Sequence, residues 1–122
     1  MKKEINLHVK EMGKLRIYLP QGEKMSGEGL IGKLNKKTVY REIIKAAKNE
    51  LIMNASAFMT HFGYSQHKPI AQKFTEGNDD DTTLCIELID NKTKLESFCR
   101  KYHSMLKGKT IVYKPVEFWE ID

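Results

Sequence analysis

A glycine-rich stretch leads into three lysines near the predicted start of the first helix. The glycines stand at positions 22, 27, 29 and 32, and the lysines are Lys33, Lys36 and Lys37. Backbone N–H groups at a helix N-terminus attract anions, and nearby ammonium groups strengthen that attraction. The spacing matches neither the Walker loop nor the dinucleotide fingerprint. The stretch therefore predicts a site for a small anion, and a flexible connector, for which glycines alone suffice, is the alternative.

The polar segment from His61 to Asp81 holds a second group of residues able to do chemistry. Loops of about 20 residues are uncommon in compact domains and are usually functional or disordered. Its histidines, His61 and His67, could bind a metal or titrate near neutral pH, but a transition-metal site needs three or four ligands and no third is evident. The run Asp79–Asp81 lacks the ligand spacing and central glycine of a calcium loop. We expect no metal and no cofactor.

Catalysis is not predicted by any residue pattern in the chain. No serine or cysteine lies in a nucleophile elbow or a triad context. The three consecutive aspartates lack the apolar pocket that would separate the acidities of a general acid and a general base. We therefore predict that the protein is not an enzyme.

Composition indicates one globular domain that spans residues 1–122 and has 40% hydrophobic and 30% charged residues. No apolar run approaches the ~18 residues that span a bilayer, and no hydrophobic signal region follows Met1, so we expect a cytoplasmic protein. Cys85 and Cys99 have no ligand cluster around them and are predicted to be buried, reduced thiols. The net charge of +5 is carried mostly by lysine, with three arginines in all, which disfavours nucleic acid as a partner.

Period-two patterns predict strands at 5–9, 15–19, 55–60 and 84–88 and in the C-terminal stretch on either side of Pro115. Residues 11–13 are short enough for a turn, so the first two runs form either a hairpin or one bent strand. Helical spacing predicts a helix over 39–52, with Thr38 as its cap, and a second helix that ends before Gly108. The caps offered for the second helix are Asp90, Asn91 or a Thr93–Glu96 capping box.

These elements follow the order of a ferredoxin-like α+β fold, βαββαβ, with two helices on one face of an antiparallel sheet and an extra N-terminal strand. The other face of the sheet is predicted to carry Tyr18, Phe58 and Trp119. Such a face must be covered, and self-association is the economical way to cover it.

Several of these segments resemble the domain of unknown function 190 family. They are Gly13–Leu19, Gly22–Lys24, the turn His61–Ser65, which is similar to that family's Gly-Phe-Gly-x-Ser turn, and Leu84–Asp90 with the helix after it. The family is placed among the PII-like signalling proteins. The resemblance implies a ferredoxin-like subunit, usually trimeric, whose loop between the second and third core strands engages a transporter, channel or enzyme. It also implies small effectors, often adenine nucleotides, bound between subunits.

One departure from the family concerns an arginine that usually stands shortly before this turn. The chain has no arginine between Arg41 and Arg100, so that group is either lost or replaced by Lys68 or Lys73. We expect Lys33, Lys36 and Lys37 to contact an anionic effector, and the loop contacts to come from a second set. These are His61, Phe62, Gly63, Tyr64 and Lys68.

Two other functions remain open at this point. A ferredoxin-like sheet with exposed aromatics and lysines is also a platform for RNA, although no RNA-recognition signature is present. The protein could also be a docking subunit whose loop binds a partner without any ligand.

Overall fold

The computed structural model describes residues 6–26, 37–72 and 81–122. Within these ranges the elements are β1 (Leu7–Pro20), α1 (Val39–Asn49), β2 (Asn54–Met59), β3 (Phe62–Gly63), β4 (Ala71–Gln72), β5 (Thr83–Asp90), α2 (Lys92–Lys101), α3 (His103–Leu106) and β6 (Thr110–Ile121).

Four strands form one antiparallel sheet in the order β2-β5-β1-β6, and β3 pairs with β4 in a separate small hairpin. With α1 after β1 and α2 after β5, this is the predicted ferredoxin-like arrangement, which is confirmed. The helices lie on one side of the sheet, α1 against β2 and β5 and α2 against β1 and β5. The strand β6 therefore forms an edge that the helices leave largely uncovered.

The first strand is one continuous element of 14 residues, so the predicted extra N-terminal strand is not a separate one. Glu11 and Gly13, expected in a turn, pair with Glu117 and Pro115 of β6. The reason lies in the phase of the pattern, because the alternating apolar residues on both sides of Gly13 have odd numbers and so point to the same face: Leu7, Val9, Leu15, Ile17 and Leu19. Pro115 fits the last strand because edge strands tolerate proline.

Gly13 also allows a close approach between the two strands. A Cβ atom there would lie 2.4 Å from Cε2 of Tyr113, so the tyrosine ring occupies the space that a side chain would need. The ring in turn lies beneath the ammonium group of Lys92, 5.5 Å from its centroid.

The core lies between the sheet and the two longer helices. Ile17 and Ile86 are fully buried at the centre of the sheet, and Ile43 of α1 and Leu95 of α2 pack above them. The remaining members of this cluster extend it along both helices and into β5.

The open face of the sheet carries two of the three predicted aromatics. Strand register places Tyr18 and Phe58 on either side of Cys85 on this face. The prediction that Trp119 lies on this face is wrong. Trp119 pairs with Val9, and this pair lies on the same side of the sheet as Gly13, which is the side that faces the helices.

Charged side chains also cross the open face. The carboxylate of Glu87 lies 3.1 Å from Nε of Arg16 and 3.8 Å from Nζ of Lys14, so one acid is shared between two cations of β1. A hydrogen bond with Tyr18, followed by the contact with Glu87, raises the pKa of Arg16 above its usual value.

The ends of the helices differ from the sequence-based expectation in two places. Thr38 precedes α1 but its side chain makes no capping bond, and α1 ends at Asn49, three residues earlier than predicted. Asn91 caps α2 by accepting a hydrogen bond of 2.8 Å from the backbone N–H of Lys94. The alternative capping box that begins at Thr93 is wrong, because Thr93 lies inside α2.

Both cysteines are free thiols, and Cys85 is buried as predicted, whereas Cys99 is only partly buried. Burial raises the pKa of each thiol above its usual value, which keeps both protonated near neutral pH. Among the described residues, no helix is long and apolar enough to cross a membrane.

A carboxylate just after α1 links the two helices. Glu50 accepts hydrogen bonds from the ammonium group of Lys101 and from the hydroxyl of Tyr102. The Lys101 bond, and then the Tyr102 bond, lower the pKa of Glu50 below its usual 4.5.

This lowered pKa predicts a pH-dependent contribution to stability. A carboxylate with a lower pKa in the folded state stabilises the fold above its unfolded pKa and loses that effect as the pH falls through its folded pKa. We expect Glu50→Gln to lower the melting temperature at neutral pH, and the gap from wild type to close between about pH 5 and pH 3. Thermal unfolding across this range tests it, and a gap that does not change with pH would contradict it.

Candidate functional site

The hairpin formed by β3 and β4 folds back onto the body of the subunit. Its hairpin turn contacts the connection between α3 and β6 through two hydrogen bonds. The Oγ atoms of Ser65 and Thr110 are 3.4 Å apart, and Nε2 of Gln66 donates to the carbonyl of Gly108 at 3.1 Å. The first half of the predicted loop is therefore anchored by side chains.

The hairpin turn contains two residues with left-handed backbone conformation. Gln66 has φ 51° and His67 has φ 60°, and the turn closes with a hydrogen bond of 3.1 Å from Lys68 N–H to the Ser65 carbonyl. Non-glycine residues in this region cost on the order of 1 kcal/mol or more each. The turn is held in this shape by its contacts with the α3–β6 connection.

A small cavity of about 100 Å³ lies where the hairpin turn, the end of β1 and the α3–β6 connection meet. We name it the loop-base cleft. Tyr18 and Glu23 line it from the β1 side, Tyr64 and Lys68 from the hairpin side, and Lys109 from the connection.

Lysines dominate the charge of the loop-base cleft. The ammonium group of Lys109 is mostly buried and lies 2.8 Å from the carboxylate of Glu23, so these charges are matched. Lys68, Lys107 and Asp81 also line the cavity. Among the described residues, no carboxylate lies within ion-pairing distance of Lys68 or Lys107. The described residues that line the cleft, three lysines and two carboxylates, therefore carry a surplus of positive charge.

A larger cleft of about 360 Å³ lies at the start of α1, and we name it the helix-start cleft. Four cations line it, Lys24, Lys37, Arg41 and Lys45, together with one carboxylate, Glu42. That carboxylate lies 3.3 Å from Lys45 and so neutralises one of them. The dipole of α1 adds positive potential at the same place.

Two residues that line the helix-start cleft have buried polar side-chain atoms. Oε1 of Gln21 and Oγ1 of Thr38 are shielded from solvent and have no hydrogen-bond partner among the described residues. Two backbone hydrogen bonds of 2.8 Å hold the chain nearby, one from Met25 N–H to the Lys37 carbonyl and one from Val39 N–H to the Glu23 carbonyl.

The turn after β1 separates the two clefts. Glu23 faces the loop-base cleft, whereas Gly22 and Lys24 face the helix-start cleft. A hydrogen bond of 2.8 Å from Gln21 N–H to the Thr82 carbonyl fixes this turn against the start of β5.

The predicted site residues divide between these places. Lys37 lines the helix-start cleft, Tyr64 and Lys68 line the loop-base cleft, and Lys68 and Phe62 line an adjoining groove beside β4. Gly63 pairs with Ala71 in the hairpin, and His61 is exposed. Lys33, Lys36, Lys73, Asp79 and Asp80 lie outside the described residues.

Sequence reasoning missed five of the cations in the two clefts. They are Lys24, Arg41, Lys45, Lys107 and Lys109. Arg41 and Lys45 are four residues apart on one face of α1, and Lys37 lies two residues before the helix, so this grouping could have been noticed. Lys107 and Lys109 reach the loop-base cleft only through the docking of the hairpin, which no local pattern reveals.

No cluster of three or more metal-binding side chains occurs in the described parts of the chain. His61 and His67 thus have no further histidine, cysteine or carboxylate ligand among those residues.

Comparison with solved structures shows the fold of PII-like proteins. CPII from Thiomonas intermedia K12, a nitrogen regulatory PII-like protein bound to ADP, AMP and bicarbonate, matches with a TM-score of 0.59 and 11% identity over 93% of this chain and 91% of that one. A Thermus thermophilus protein described as PII-like signaling matches with a TM-score of 0.56 and 6% identity over 92% of this chain and 91% of that one. These identities support the shared fold only.

No curated protein matches the chain in sequence. The sequence pattern of DUF190, described as "Uncharacterized ACR", matches residues 12–118, which is most of the chain and includes the segments that suggested the resemblance. The chain therefore belongs to the DUF190 family and has a PII-like, ferredoxin-type fold.

Proposed function

We propose that the protein is a non-enzymatic PII-like regulatory subunit, a single domain over residues 1–122, that binds a small anionic effector and signals through the 61–81 segment. The observation that carries this proposal is the helix-start cleft, which combines four cations, one carboxylate and a helix N-terminus. Its volume of about 360 Å³ lies in the range of about 300 to 1,000 Å³ that is typical of small-molecule sites.

An adenine nucleotide is the effector that we propose. CPII, which shares the fold, binds ADP and AMP. In this chain the phosphates would contact Lys37 and Arg41, and a guanidinium group such as Arg41 pairs with phosphate through two hydrogen bonds. Lys33 and Lys36, which lie outside the described residues, stay predicted contacts. Arg41 would then supply the arginine that is missing from the loop.

A homo-oligomer, with a trimer favoured by the family resemblance, completes the proposal. Phe58 is 53% exposed on the open face of the sheet, in the same cross-strand row as Tyr18. Isolated subunits rarely leave such a face bare, and other copies of the chain would cover it. The family resemblance implies that the effector would lie between subunits.

The 61–81 segment would carry the signal. Its hairpin exposes three large apolar side chains, Phe62, Tyr64 and Ile70, each at least 60% exposed, which suits contact with a protein partner such as a membrane transporter or channel. The effector would bind one state of this segment more tightly than the other, and that difference would change the affinity for the partner. Such a coupling free energy is typically ~1 to 3 kcal/mol.

Nucleic acid is not the partner that we propose. On the open face, where RNA would stack, Glu87 already occupies the centre and pairs with Arg16 and Lys14. This carboxylate engages the guanidinium group of Arg16, which makes that group less available to a phosphate.

Thermal unfolding against a panel of adenine and guanine nucleotides at fixed salt tests the proposal. A nucleotide at about 100 times its dissociation constant should add ~2.7 kcal/mol to stability, a shift of several degrees. We expect the double variant Lys37→Ala/Arg41→Ala to bind at least about tenfold more weakly, because a hydrogen bond to a charged group contributes about 1.5 to 3 kcal/mol. Sedimentation of the same samples gives the mass of the complex.

The matched control is Lys48→Ala/Arg100→Ala, which removes one lysine and one arginine that are exposed outside the helix-start cleft. It should keep the wild-type shift. If no nucleotide shifts the wild-type protein, the effector part of the proposal fails and a ligand-independent docking subunit replaces it. An equal loss in both double variants would indicate general charge effects and would also contradict the proposed site.

A further inference from the structure

The first and last strands extend beyond the rest of the sheet as a two-stranded ribbon. The strand β5 pairs with β1 from Gly13 onwards, whereas β6 pairs with β1 from Leu7 onwards. We name the part formed by residues 7–12 and 116–121 the end ribbon. Two strands alone are marginally stable in water unless another layer packs against them. A covering layer on one side would therefore stabilise the end ribbon.

One side of the end ribbon is apolar, and it is the side that faces the helices. Its four large side chains are between 47% and 69% exposed: Leu7, Val9, Trp119 and Ile121. If each contributes about 100 Å², roughly half of a large side chain, the patch is on the order of 400 Å². The opposite side is charged, with Nζ of Lys10 lying 2.8 Å from Oε1 of Glu120. The charged side suits water, so the apolar side is the one that a partner would cover.

Two carboxylates on the apolar side have no matching cation. Glu11 and Glu117 lie directly opposite one another in the strand register. Like charges in this position repel one another. Within the described parts of the chain, no lysine, arginine or histidine comes within 4.0 Å of either carboxylate. A cation brought by a partner would convert this repulsion into attraction.

A groove next to the end ribbon has the complementary character. It has a volume of about 350 Å³ and lies between α2 and β6, and we name it the edge groove. Leu95, Cys99 and Tyr113 form its apolar part, and Lys92 and Arg100 outnumber the one carboxylate among its described lining residues. Lys92 and Tyr113 also line an adjoining cavity of about 490 Å³ together with the two carboxylates of the end ribbon. Groove and ribbon therefore form one continuous surface.

This surface is complementary to itself. The end ribbon offers apolar side chains and unpaired acids, whereas the edge groove offers apolar side chains and an excess of cations. A surface that carries both halves can pair with a second copy about a two-fold axis, so that each contact occurs twice. With the axis near Val116, Trp119 of one copy meets Tyr113 of the other, because each lies three residues from Val116. Two aromatic rings in contact stabilise an interface beyond the area that they bury.

We propose that a second copy of the chain covers the end ribbon, and that the ribbon of each copy packs into the edge groove of the other. Lys92 of one copy then provides the cation for Glu11 and Glu117 of the other. This lysine already lies over the Tyr113 ring, with Nζ 5.5 Å from its centroid. Because each copy contributes both a ribbon and a groove, the buried area is on the order of 800 Å² per copy, as in a stable interface. The inference goes beyond the proposed function, because this surface lies on the opposite side of the sheet from the open face and needs no effector.

Sedimentation equilibrium of wild type and Trp119→Ala over a dilution series tests the proposal. We expect association to weaken by at least about tenfold in Trp119→Ala, because tryptophan is enriched among the residues that dominate interface energetics. Wild type should reach twice the mass of the dissociated variant, two chains against one, or six against three if the open face forms a trimer. The matched control Phe118→Ala, on the charged side of the same strand, should keep the wild-type mass. Equal masses for wild type and Trp119→Ala would overturn the proposal, and so would a ratio of three, which indicates a ring.

An exchange of charges tests the contact between the two copies directly. Trp119 is the only tryptophan in the sequence, so its fluorescence reports on this surface alone. Lys92→Glu should weaken association and move the emission to longer wavelength, because the new carboxylate repels Glu11 and Glu117 of the second copy. The double variant Lys92→Glu/Glu117→Lys should restore both association and emission. Failure of the double variant to restore association would overturn the proposed contact. Short-wavelength emission from dissociated Lys92→Glu would mean that the same chain covers Trp119, which would also overturn the proposal.

Discussion

Ile86→Ala is expected to lower the free energy of unfolding by about 2 to 5 kcal/mol and the melting temperature by about 10 °C or more. Ile86 is fully buried in β5, at the centre of the sheet under the helices. Truncation removes three carbon atoms from the core and leaves a cavity that the neighbouring strands can only partly close, because β1 and β2 fix its position on both sides.

The chain offers a matched control in the same row of the sheet. Strand register places Ala57, Ile86, Ile17 and Ile111 side by side on the helix-facing side of β2, β5, β1 and β6. Ile111 is 37% exposed because the helices leave β6 uncovered. We expect Ile111→Ala to cost about 1 kcal/mol or less, mostly through lost strand propensity.

Urea unfolding of the two variants gives the comparison directly. Losses of similar size would mean that the helix-facing side of β6 is covered in the folded protein, and the description of β6 as an exposed edge would be wrong. A large loss at Ile86 alone supports the core described here.

The order of elements could be predicted because each element carries its own periodicity. Leu15, Ile17 and Leu19 alternate strictly, and the first helix repeats its apolar residues with helical spacing. The junctions between these elements were harder to predict. Gly13 is typical of a turn, yet it lies within a strand. The tyrosine ring that covers it comes from β6, about a hundred positions later, and only the pairing with β6 makes the strand continuous.

Prediction of the residues on the open face was limited in the same way, by pairing between distant strands. Phe58 and Tyr18 were assigned correctly because each lies in a strand whose inward residues are clearly apolar. In the last strand both faces of the alternation hold large apolar residues, since Val116 and Phe118 alternate with Trp119 and Ile121. Without a contrast between faces, the direction of Trp119 depends on register, and register is a tertiary property.

The candidate site was predictable only where its residues share one element. Lys37 was found from the helix start that it precedes. The loop-base cleft combines three segments distant in sequence, and its lysines at 107 and 109 look like ordinary charged residues beside a helix end. Their role depends on where the hairpin turn docks, and that is decided by single side-chain contacts of Ser65 and Gln66.

Asp90→Ala is expected to destabilise the fold by about 3 kcal/mol, because this buried carboxylate, 6% exposed, satisfies several donors at once. It accepts hydrogen bonds from the backbone N–H groups of Met53 at 2.9 Å and Asn91 at 2.7 Å. Its Oδ2 also lies 3.3 Å from Nζ of Lys94. Alanine leaves the N–H of Met53 without this acceptor at the turn that leads into β2.

Two further variants separate the hydrogen bonds of Asp90 from its charge. Lys94→Ala removes the cation, which is about one-third exposed, and should cost about 1 kcal/mol or less because solvent screens such pairs. Asp90→Asn keeps one acceptor oxygen and should fall between the two, since its amide group cannot accept from the second N–H. Urea unfolding ranks the three. Equal losses for Lys94→Ala and Asp90→Ala would show that charge, rather than the backbone bonds, sets the effect. Because Asp90 does not line the helix-start cleft, the nucleotide response should survive in all three variants wherever they remain folded.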